Sequence, residues 1–367
     1  MKHLLTSTIF VFAISCGFSQ ELLPLFSDTV FEKNEFQIST FNYYSSNTFN
    51  NELTDKFIFG GTITEDLKTR NANKLSGSNV LGAEAEQSIT FYNKDIKLFK
   101  NPNFGFVASF SDNHFLTANV PTDLFNLGMY GNANYLGDTM RFQGAMMEYL
   151  HFQKMGFGFF HKKTMSSIQV SFVAGSKEVN MNLNNSYMLS EEDSVHLKLL
   201  GLGSYSNEFS PYFGFQGSGF SIDMNYNLLF ENKKGNLQIV NLKLNNLGVI
   251  FWNQSSNRVY IDSTISYDGF DVNRLLNEEN DVYNFKDTIG ILTKQDNYYT
   301  SLPIEFVLQK IPDLKSHQKF QLIGGFKTIL TSAYFPYIFA GGFYKPTDHI
   351  AISSRLSYGG FGGLKWG

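Results

Sequence analysis

The chain contains little cysteine, tryptophan, proline or charge. Its 367 residues include one cysteine, two tryptophans and eight prolines. The cysteine, Cys16, lies in an N-terminal segment that we expect to be removed. The mature chain would then have no disulfide, no thiolate nucleophile and no cysteine-rich zinc site. Charged residues make up 17% of the chain, whereas about 25% is usual in soluble globular proteins.

Further absences limit the classes of function. The formal net charge of −4 provides no basic surface, so we expect no nucleic-acid partner. After the N-terminus, no stretch approaches the roughly 18 consecutive apolar residues of a membrane-spanning helix. The histidines form neither HxH nor HExxH, so we expect no catalytic, cofactor-binding or metal site. The histidines considered are His114, His151, His161, His196, His317 and His349.

The N-terminus has the form of a secretory signal peptide. Lys2 and His3 precede the apolar run LLTSTIFVFAIS, which is too short to span a membrane. We expect residues 1–19 to be the signal peptide, since cleavage after Ser19 would place small residues at the usual positions. Lipidation of Cys16 is the alternative. Under both interpretations the protein leaves the cytoplasm.

Phenylalanine and tyrosine are abundant, with 38 and 19 copies, and many of them alternate with polar residues. Residues 220–230, FSIDMNYNLLF, show the pattern clearly. Side chains of a β-strand leave on opposite faces with period two, so this segment has one apolar and one polar face. The apolar face carries Phe220, Ile222, Met224, Tyr226, Leu228 and Phe230, and the polar face carries Ser221, Asp223, Asn225 and Asn227.

The same alternation recurs along the whole chain and predicts an all-β fold. Tight polar turns such as 231–236 alternate with long polar loops at 66–79, 180–210 and 268–300. We expect about 14 antiparallel strands, each long enough to span a bilayer when tilted. Besides 220–230, the candidate strands are residues 35–43, 82–92, 104–111, 142–152, 155–161, 166–175, 237–245, 247–253, 258–267, 303–309, 320–330, 334–343 and 349–358.

The polar faces of these strands favour a transmembrane β-barrel over a soluble sandwich. In a sandwich, the face away from the core meets bulk water and carries many Lys and Glu residues. Here it carries mainly Ser, Asn, Gln, Gly, Asp and Thr, which suit a packed lumen, while the aromatic face suits the lipid interface. We therefore expect Ser221, Asp223, Asn225, Asn227 and Arg355 to face the lumen, in one barrel domain of residues 20–367.

Two short helices interrupt the predicted strands. In VPTDLFNLGMYGN, Thr122 is a candidate N-cap, Asp123 fits the first turn and Gly131 fits the end of the helix. We expect this helix to fill part of the lumen, through Pro121, Asp123, Leu124, Phe125 and Leu127. A second helix is expected at 271–280. The nearby SDNH segment, 111–114, is interpreted as a polar loop.

The segments VASFSDNHFLTANVPTDLFNLGMYGN (107–132) and LNNLGVIFWN (244–253) support a family assignment. With them the chain resembles outer-membrane barrels of gliding or type IX-secreting Gram-negative bacteria, which look like distant relatives of the long-chain fatty-acid transporters. The resemblance implies a plug formed by residues 20–34 and a hydrophobic ligand. A second similar group holds or shuttles secreted proteins. The last residues, GGFGGLKWG, lack the terminal aromatic residue usual in such barrels, and we expect the chain to continue further.

The function we expect is non-enzymatic and located in the cell outer membrane. The preferred hypothesis is a channel or transporter for hydrophobic or small solutes, surrounded by outer-membrane lipids. The alternative is a scaffold for secretion or surface assembly that binds protein partners through its long loops.

Overall fold

A computed structural model describes residues 34–96, 101–207, 214–232, 235–267, 291–313, 316–347 and 350–367. This part of the chain is all-β and forms one antiparallel sheet of 18 strands. The strands are β1 (Glu35–Ser46), β2 (Val80–Asn93), β3 (Phe104–Asn119), β4 (Thr139–Arg141), β5 (Met146–His161), β6 (Ser167–Leu183), β7 (Tyr187–Ser190), β8 (Val195–Tyr205), β9 (Gly217–Glu231), β10 (Leu237–Trp252), β11 (Asn257–Tyr267), β12 (Ile291–Gln295), β13 (Tyr299–Ser301), β14 (Ile304–Ile311), β15 (Phe320–Leu330), β16 (Phe335–Thr347), β17 (Ile350–Gly360) and β18 (Lys365–Trp366).

Many predicted strands are present, although several are longer than expected. Residues 320–330 form β15 with the predicted bounds. Residues 146–152 and 155–161 belong to one strand, β5, so that the predicted strand at 142–152 began four residues too early. The two predicted segments between 237 and 253 belong to β10, which ends at Trp252. The number of strands exceeds the expected 14 because five of them, β4, β7, β12, β13 and β18, have only two to five residues.

Twelve strands follow one another in a continuous path of antiparallel pairs. The path runs β1, β2, β3, β5, β6, β9, β10, β14, β15, β16, β17 and β18. Tight connections at 162–166 and 232–236 lie at one end of these strands, which we call the turn end. The long connections 47–79 and 120–145 lie at the opposite end, together with tight ones at 331–334 and 361–364. A branch also leaves β6 there, where β6 pairs with β8, β8 with β11 and β11 with β12.

The first and last strands of the path are linked by side chains. Lys365 in β18 donates hydrogen bonds to the Tyr43 hydroxyl at 2.7 Å and to the Ser45 hydroxyl, both in β1. Within the described ranges, no backbone ladder joins these two strands, so the sheet does not close into a hydrogen-bonded barrel. The contacts nevertheless require the sheet to curl until its two edges meet.

Three helices lie in the long connections, at what we call the helical end. They are α1 (Asn51–Phe59), α2 (Glu65–Ala72) and α3 (Thr122–Tyr130). The sequence predicts α3 but not α1 and α2, whose N-caps Asn50 and Thr64 accept hydrogen bonds from the third residues that follow them. Among the described residues, no helix combines the length and the apolar character needed to cross a membrane.

The capping of α3 differs in part from the prediction. Thr122 is the first helical residue and Pro121 is the N-cap, without a side-chain hydrogen bond, so the Thr122 cap was wrong. Pro121 suits this place because a helix cannot use the N–H that proline lacks there. Asp123 lies in the first turn and Gly131 ends the helix with a φ of 74°, and both agree with the prediction.

Several expectations fall outside the described residues. These are the signal peptide, nearly all of the plug segment 20–34 and the helix at 271–280. They remain predictions.

The packing between the two edges of the sheet can be tested at a buried aromatic residue near the last strand. Phe361 is fully buried against the rings of Phe115 and Tyr334, and a Cβ atom on Gly82 would overlap its ring. We expect Phe361→Ala to lower the free energy of unfolding by about 3–5 kcal/mol, because it leaves a cavity between the edges. Urea unfolding in detergent measures this loss. The matched control is Leu364→Ala at a side chain that is 69% exposed. Equal losses in both variants would contradict this packing.

Candidate functional site

The two faces of the sheet have inverted polarity. Phe220 is 53% exposed, whereas the adjacent Ser221 is fully buried. On β6, Phe172 is exposed and Ser171 is buried, and β17 repeats the pattern with Leu356 and Ser357. We call these the outer, apolar face and the inner, polar face. No second layer covers Phe220 within the described ranges, so this strand does not lie in the core of a sandwich.

The five strand residues expected to face a lumen all lie on the inner face. Ser221, Asn227 and Arg355 are buried, and Asp223 and Asn225 are partly buried. Asn225 and Asn227 accept hydrogen bonds from Asn241 of β10 at 2.6 and 2.8 Å. The Arg355 guanidinium lies 5.4 Å from the centre of the Phe339 ring, a cation–π contact.

The inner face encloses a cavity of about 210 Å³. Its lining comes from β1, β2, β3, β5, β6, β9, β10, β14 and β15, so the curled sheet surrounds it. Most of the lining side chains are polar, and the principal ones are Glu84, Glu86, Ser109, Asn113, Lys154, Gln169, Asp223, Asn245, Asn246 and Glu305.

Lys154 joins three strands on one side of this cavity. Its ammonium donates to both carboxylate oxygens of Asp223, at 2.9 and 3.0 Å, and to the side-chain oxygen of Asn246 at 2.7 Å. Asp223 also accepts from Ser171 at 3.3 Å. Strands β5, β6, β9 and β10 are therefore tied together through one partly buried ion pair.

A β-bulge in β10 makes this arrangement possible. The register of β10 against β9 shifts between Leu244 and Leu247, and Asn246 has a φ of 59°. The bulge turns Asn246 inward, where its backbone N–H donates to Asp223 at 2.8 Å. Bulges re-aim side chains in this way and often occur at functional sites. Asn245 beside it donates to Glu305 at 2.8 Å.

A second cation lies near the opposite wall. The Lys327 ammonium is 2.7 Å from Glu305 and 3.6 Å from Glu84, which connects β15 to β14 and to β2 across the interior. Four carboxylates but only one ammonium, that of Lys154, line the cavity itself. The cavity therefore carries a net negative charge, which attracts cations.

An apolar cluster lies next to the cavity toward the helical end. Phe115, Phe152 and Ile329 belong both to the cavity lining and to this cluster. The remaining buried members are Val80, Leu150, Val173, Ile250, Trp252, Tyr298, Leu302, Ala333 and Phe361. We call this set of twelve residues the apolar layer.

The apolar layer also contains a polar contact. The Tyr298 hydroxyl, between β12 and β13, donates to Glu178 at 2.6 Å. Burial and the adjacent Glu178 carboxylate both raise the pKa of Tyr298 well above its ordinary value. Tyr298 therefore stays protonated and keeps this hydrogen bond.

The residues of the predicted plug helix contact other parts of the helical end. Phe125 is buried against Leu53 and Leu67 of the other helices. Leu124 and Leu127 pack against a cluster of Met140, Phe142 and Met188. Asp123 accepts a hydrogen bond from the backbone N–H of Arg141 at 2.7 Å, and Pro121 caps the helix. None of the five residues lines the cavity, and their role as a plug remains a prediction.

The sequence interpretation missed a cluster on β3 and β5. Residues 111–114 lie in β3 rather than in a loop, so the loop interpretation was wrong. Ser111, Asn113 and His114 contribute to the cavity lining. Asp112 and His114 also meet His151 of β5, which pairs directly with His114. These three are a group of possible metal ligands in the described part of the chain. The D-x-H spacing of Asp112 and His114 was visible in the sequence. Their neighbour His151 could be recognised only once the pairing of β3 with β5 was known.

The comparisons with known proteins give no match. No protein-family model, no curated protein and no solved structure is similar enough to this chain to be matched.

The Lys154–Asp223 pair should determine much of the stability of the interior. We expect Lys154→Met to lower the free energy of unfolding by about 3–5 kcal/mol, because it leaves the Asp223 carboxylate buried without its main cation. Adding Asp223→Asn should recover part of the loss. Urea unfolding in detergent measures both effects. The control is Lys68→Met at the exposed Lys68–Glu65 pair, where we expect less than about 1 kcal/mol. A Lys154 loss as small as the control would contradict this role.

Proposed function

We propose that the chain forms a transmembrane β-barrel of the outer membrane that provides a non-enzymatic passage for small solutes. The observation that carries the proposal is the inverted polarity of the sheet, with exposed Phe220 next to buried Ser221. Exposing a continuous apolar face to water is unfavourable, whereas acyl chains cover such a face without cost. Outer-membrane lipids are therefore the expected surroundings.

The curl of the sheet supports a barrel. Lys365 bridges β18 to β1, and Lys327 reaches Glu84 across the interior. In a bilayer, backbone groups at an open sheet edge have no water to pair with, so closure between the edges is strongly favoured. The longest connections, 47–79 and 120–145, lie at the helical end, as the external loops of such barrels do, although tight connections at 331–334 and 361–364 lie there too.

The lining of the cavity favours small polar solutes, and cations in particular. Its carboxylates outnumber its ammonium groups, and rings of Asp and Glu favour cations in channels. The apolar layer shares three residues with the cavity lining and lies beside the cavity, where it would act as the hydrophobic constrictions of gated pores do. A hydrophobic solute, as the resemblance to fatty-acid transporters implies, would have to use the apolar layer instead.

Ion selectivity of the protein in planar bilayers tests this proposal. Under a potassium chloride gradient, we expect a reversal potential that shows preference for potassium. Glu86→Gln removes one lining carboxylate and should reduce that preference, whereas Glu231→Gln at the turn end should not. Phe152→Ala thins the apolar layer and should raise the conductance. A preference for chloride would contradict the proposal, and so would the lack of any current with both the wild type and Phe152→Ala.

A second candidate is a scaffold for secretion or surface assembly. The branch formed by β8, β11 and β12 extends beyond the main path and exposes large side chains, including Leu202, Tyr260 and Leu292. Such a surface is suited to a protein partner. This candidate would be favoured if one stoichiometric partner co-purifies with the protein and the double variant Leu202→Asp, Leu292→Asp loses that partner. The protein should then also show no conductance in planar bilayers.

A further inference from the structure

A second cavity lies at the helical end of the strands, and we call it the mouth pocket. Its volume is about 310 Å³, within the range of roughly 300–1,000 Å³ that is usual for small-molecule sites. Its lining contains no ionisable side chain in the described part of the chain. Unlike the carboxylate-lined cavity, the mouth pocket therefore offers hydrogen bonds without charge. Its principal lining side chains are those of Asn119, Met146, Asn182, Asn184, Ser332 and Phe335.

The mouth pocket and the carboxylate-lined cavity lie at different heights along the same strands. On β5, Met146 lines the mouth pocket, Leu150 belongs to the apolar layer and Lys154 lines the carboxylate-lined cavity. A strand rises about 3.3 Å per residue, so Met146 and Lys154 are about 26 Å apart. On β3, Asn119 and Phe115 follow the same order. The apolar layer thus lies between the two cavities on these strands, and a ligand in the mouth pocket would be on its helical-end side.

Four adjacent strands, β2, β3, β5 and β6, contribute one residue each to a wall of the mouth pocket. These residues pair directly with one another across the sheet, in the order Val80, Asn119, Met146 and Asn182. On the two sides of this group, β2 pairs with β1 and β6 pairs with β8. Within the described ranges, the wall therefore has no open strand edge to which a peptide could add. A ligand meets side chains instead.

Some side chains of the lining are fixed, and others have free hydrogen-bonding capacity. Asn119 accepts a hydrogen bond from the Ser78 hydroxyl at 2.9 Å and donates one to the backbone oxygen of Gly144 at 2.8 Å. Each amide supplies a carbonyl oxygen and two N–H groups, and a hydroxyl both donates and accepts. Three exposed side chains of the lining make no hydrogen bond with any described residue, namely those of Asn182, Asn184 and Ser332.

The chemistry of the lining suits a sugar ring. Phe335, at the start of β16, is 48% exposed, and with Val80, Met146 and Ala333 it gives the mouth pocket an apolar side. A sugar ring carries hydroxyls at its edge, which donate and accept as the amides do, and apolar C–H groups on its faces. Small-molecule sites combine apolar walls with a few oriented polar groups in this way. A charged solute would lose hydration here without gaining a counter-ion.

We propose that the mouth pocket binds a neutral saccharide. The Asn182 and Asn184 amides and the Ser332 hydroxyl bind its hydroxyl groups, and the Phe335 side chain packs against the ring. The ligand is a free sugar or a sugar unit of a surface glycan, since both present the same groups. Its role as a solute that enters the passage rests on the proposed function, whereas binding itself requires no conductance.

Saturation-transfer NMR on the full-length protein, in a detergent without sugar groups, tests this proposal. We expect saturable binding of glucose or maltose. Asn182→Ala and Asn184→Ala should each weaken it by about 2–10-fold, because each removes hydrogen bonds to a neutral ligand. Phe335→Ala should also weaken it. The control is Asn51→Ala at an exposed asparagine of α1 outside the mouth pocket, which should bind as the wild type does.

Two further arms identify the source of the sugar and separate this site from the passage. Oligosaccharide cleaved from lipopolysaccharide should bind more tightly than glucose and maltose if the ligand is a surface glycan, and more weakly if it is a free solute. Binding without any current in planar bilayers would support the site while contradicting the passage. The proposal is overturned if no sugar binds, or if the triple variant Asn182→Ala, Asn184→Ala, Phe335→Ala binds as Asn51→Ala does.

Discussion

Adjacent residues of β6, β9 and β17 face surroundings of opposite polarity, and this constraint governs the rest of the structure. On the inner face, polar side chains bond to one another across strands. Asn241 of β10 donates to Asn225 and Asn227 of β9 and accepts from Gln309 of β14. A buried amide must find such partners or lose the free energy of its hydration. Part of the inner face is thus a connected polar network, and it lies beside the apolar layer.

The interior combines a charged cavity with an apolar layer, and the two have different physical roles. The ion pairs of Lys154 and Lys327 hold together strands that are far apart in the sequence. The carboxylates of the cavity lining outnumber these two ammonium groups, so the cavity keeps a net negative charge. The apolar layer excludes water beside that cavity. In the proposed passage, a solute that leaves the cavity toward the helical end would meet this layer.

The alternation of residues was enough to predict the all-β fold and which residues share a face, because period two is a local property of a strand. Thus the all-β fold and the bounds of β15 were predicted correctly, whereas a lumen-facing position for Ser221 and Asn227 stays a prediction. Features that depend on distant partners were not visible. The bulge at Asn246, the pairing of His114 with His151 and the short branch strands all arise from neighbouring strands. Helices α1 and α2 were missed because their sequences are polar and short, although Asn50 and Thr64 are ordinary N-cap residues.

The central claim is that acyl chains cover the outer face, and fluorescence quenching in bilayers tests it most directly. The chain has only two tryptophans, Trp252, which is buried, and Trp366. In a Trp252→Phe, Trp366→Phe background, Phe220→Trp places one reporter on the outer face. We predict strong quenching by lipids with brominated acyl chains, and little quenching of Trp252 in a Trp366→Phe variant. Quenching of the reporter at position 220 by aqueous iodide, but not by brominated lipids, would contradict the account.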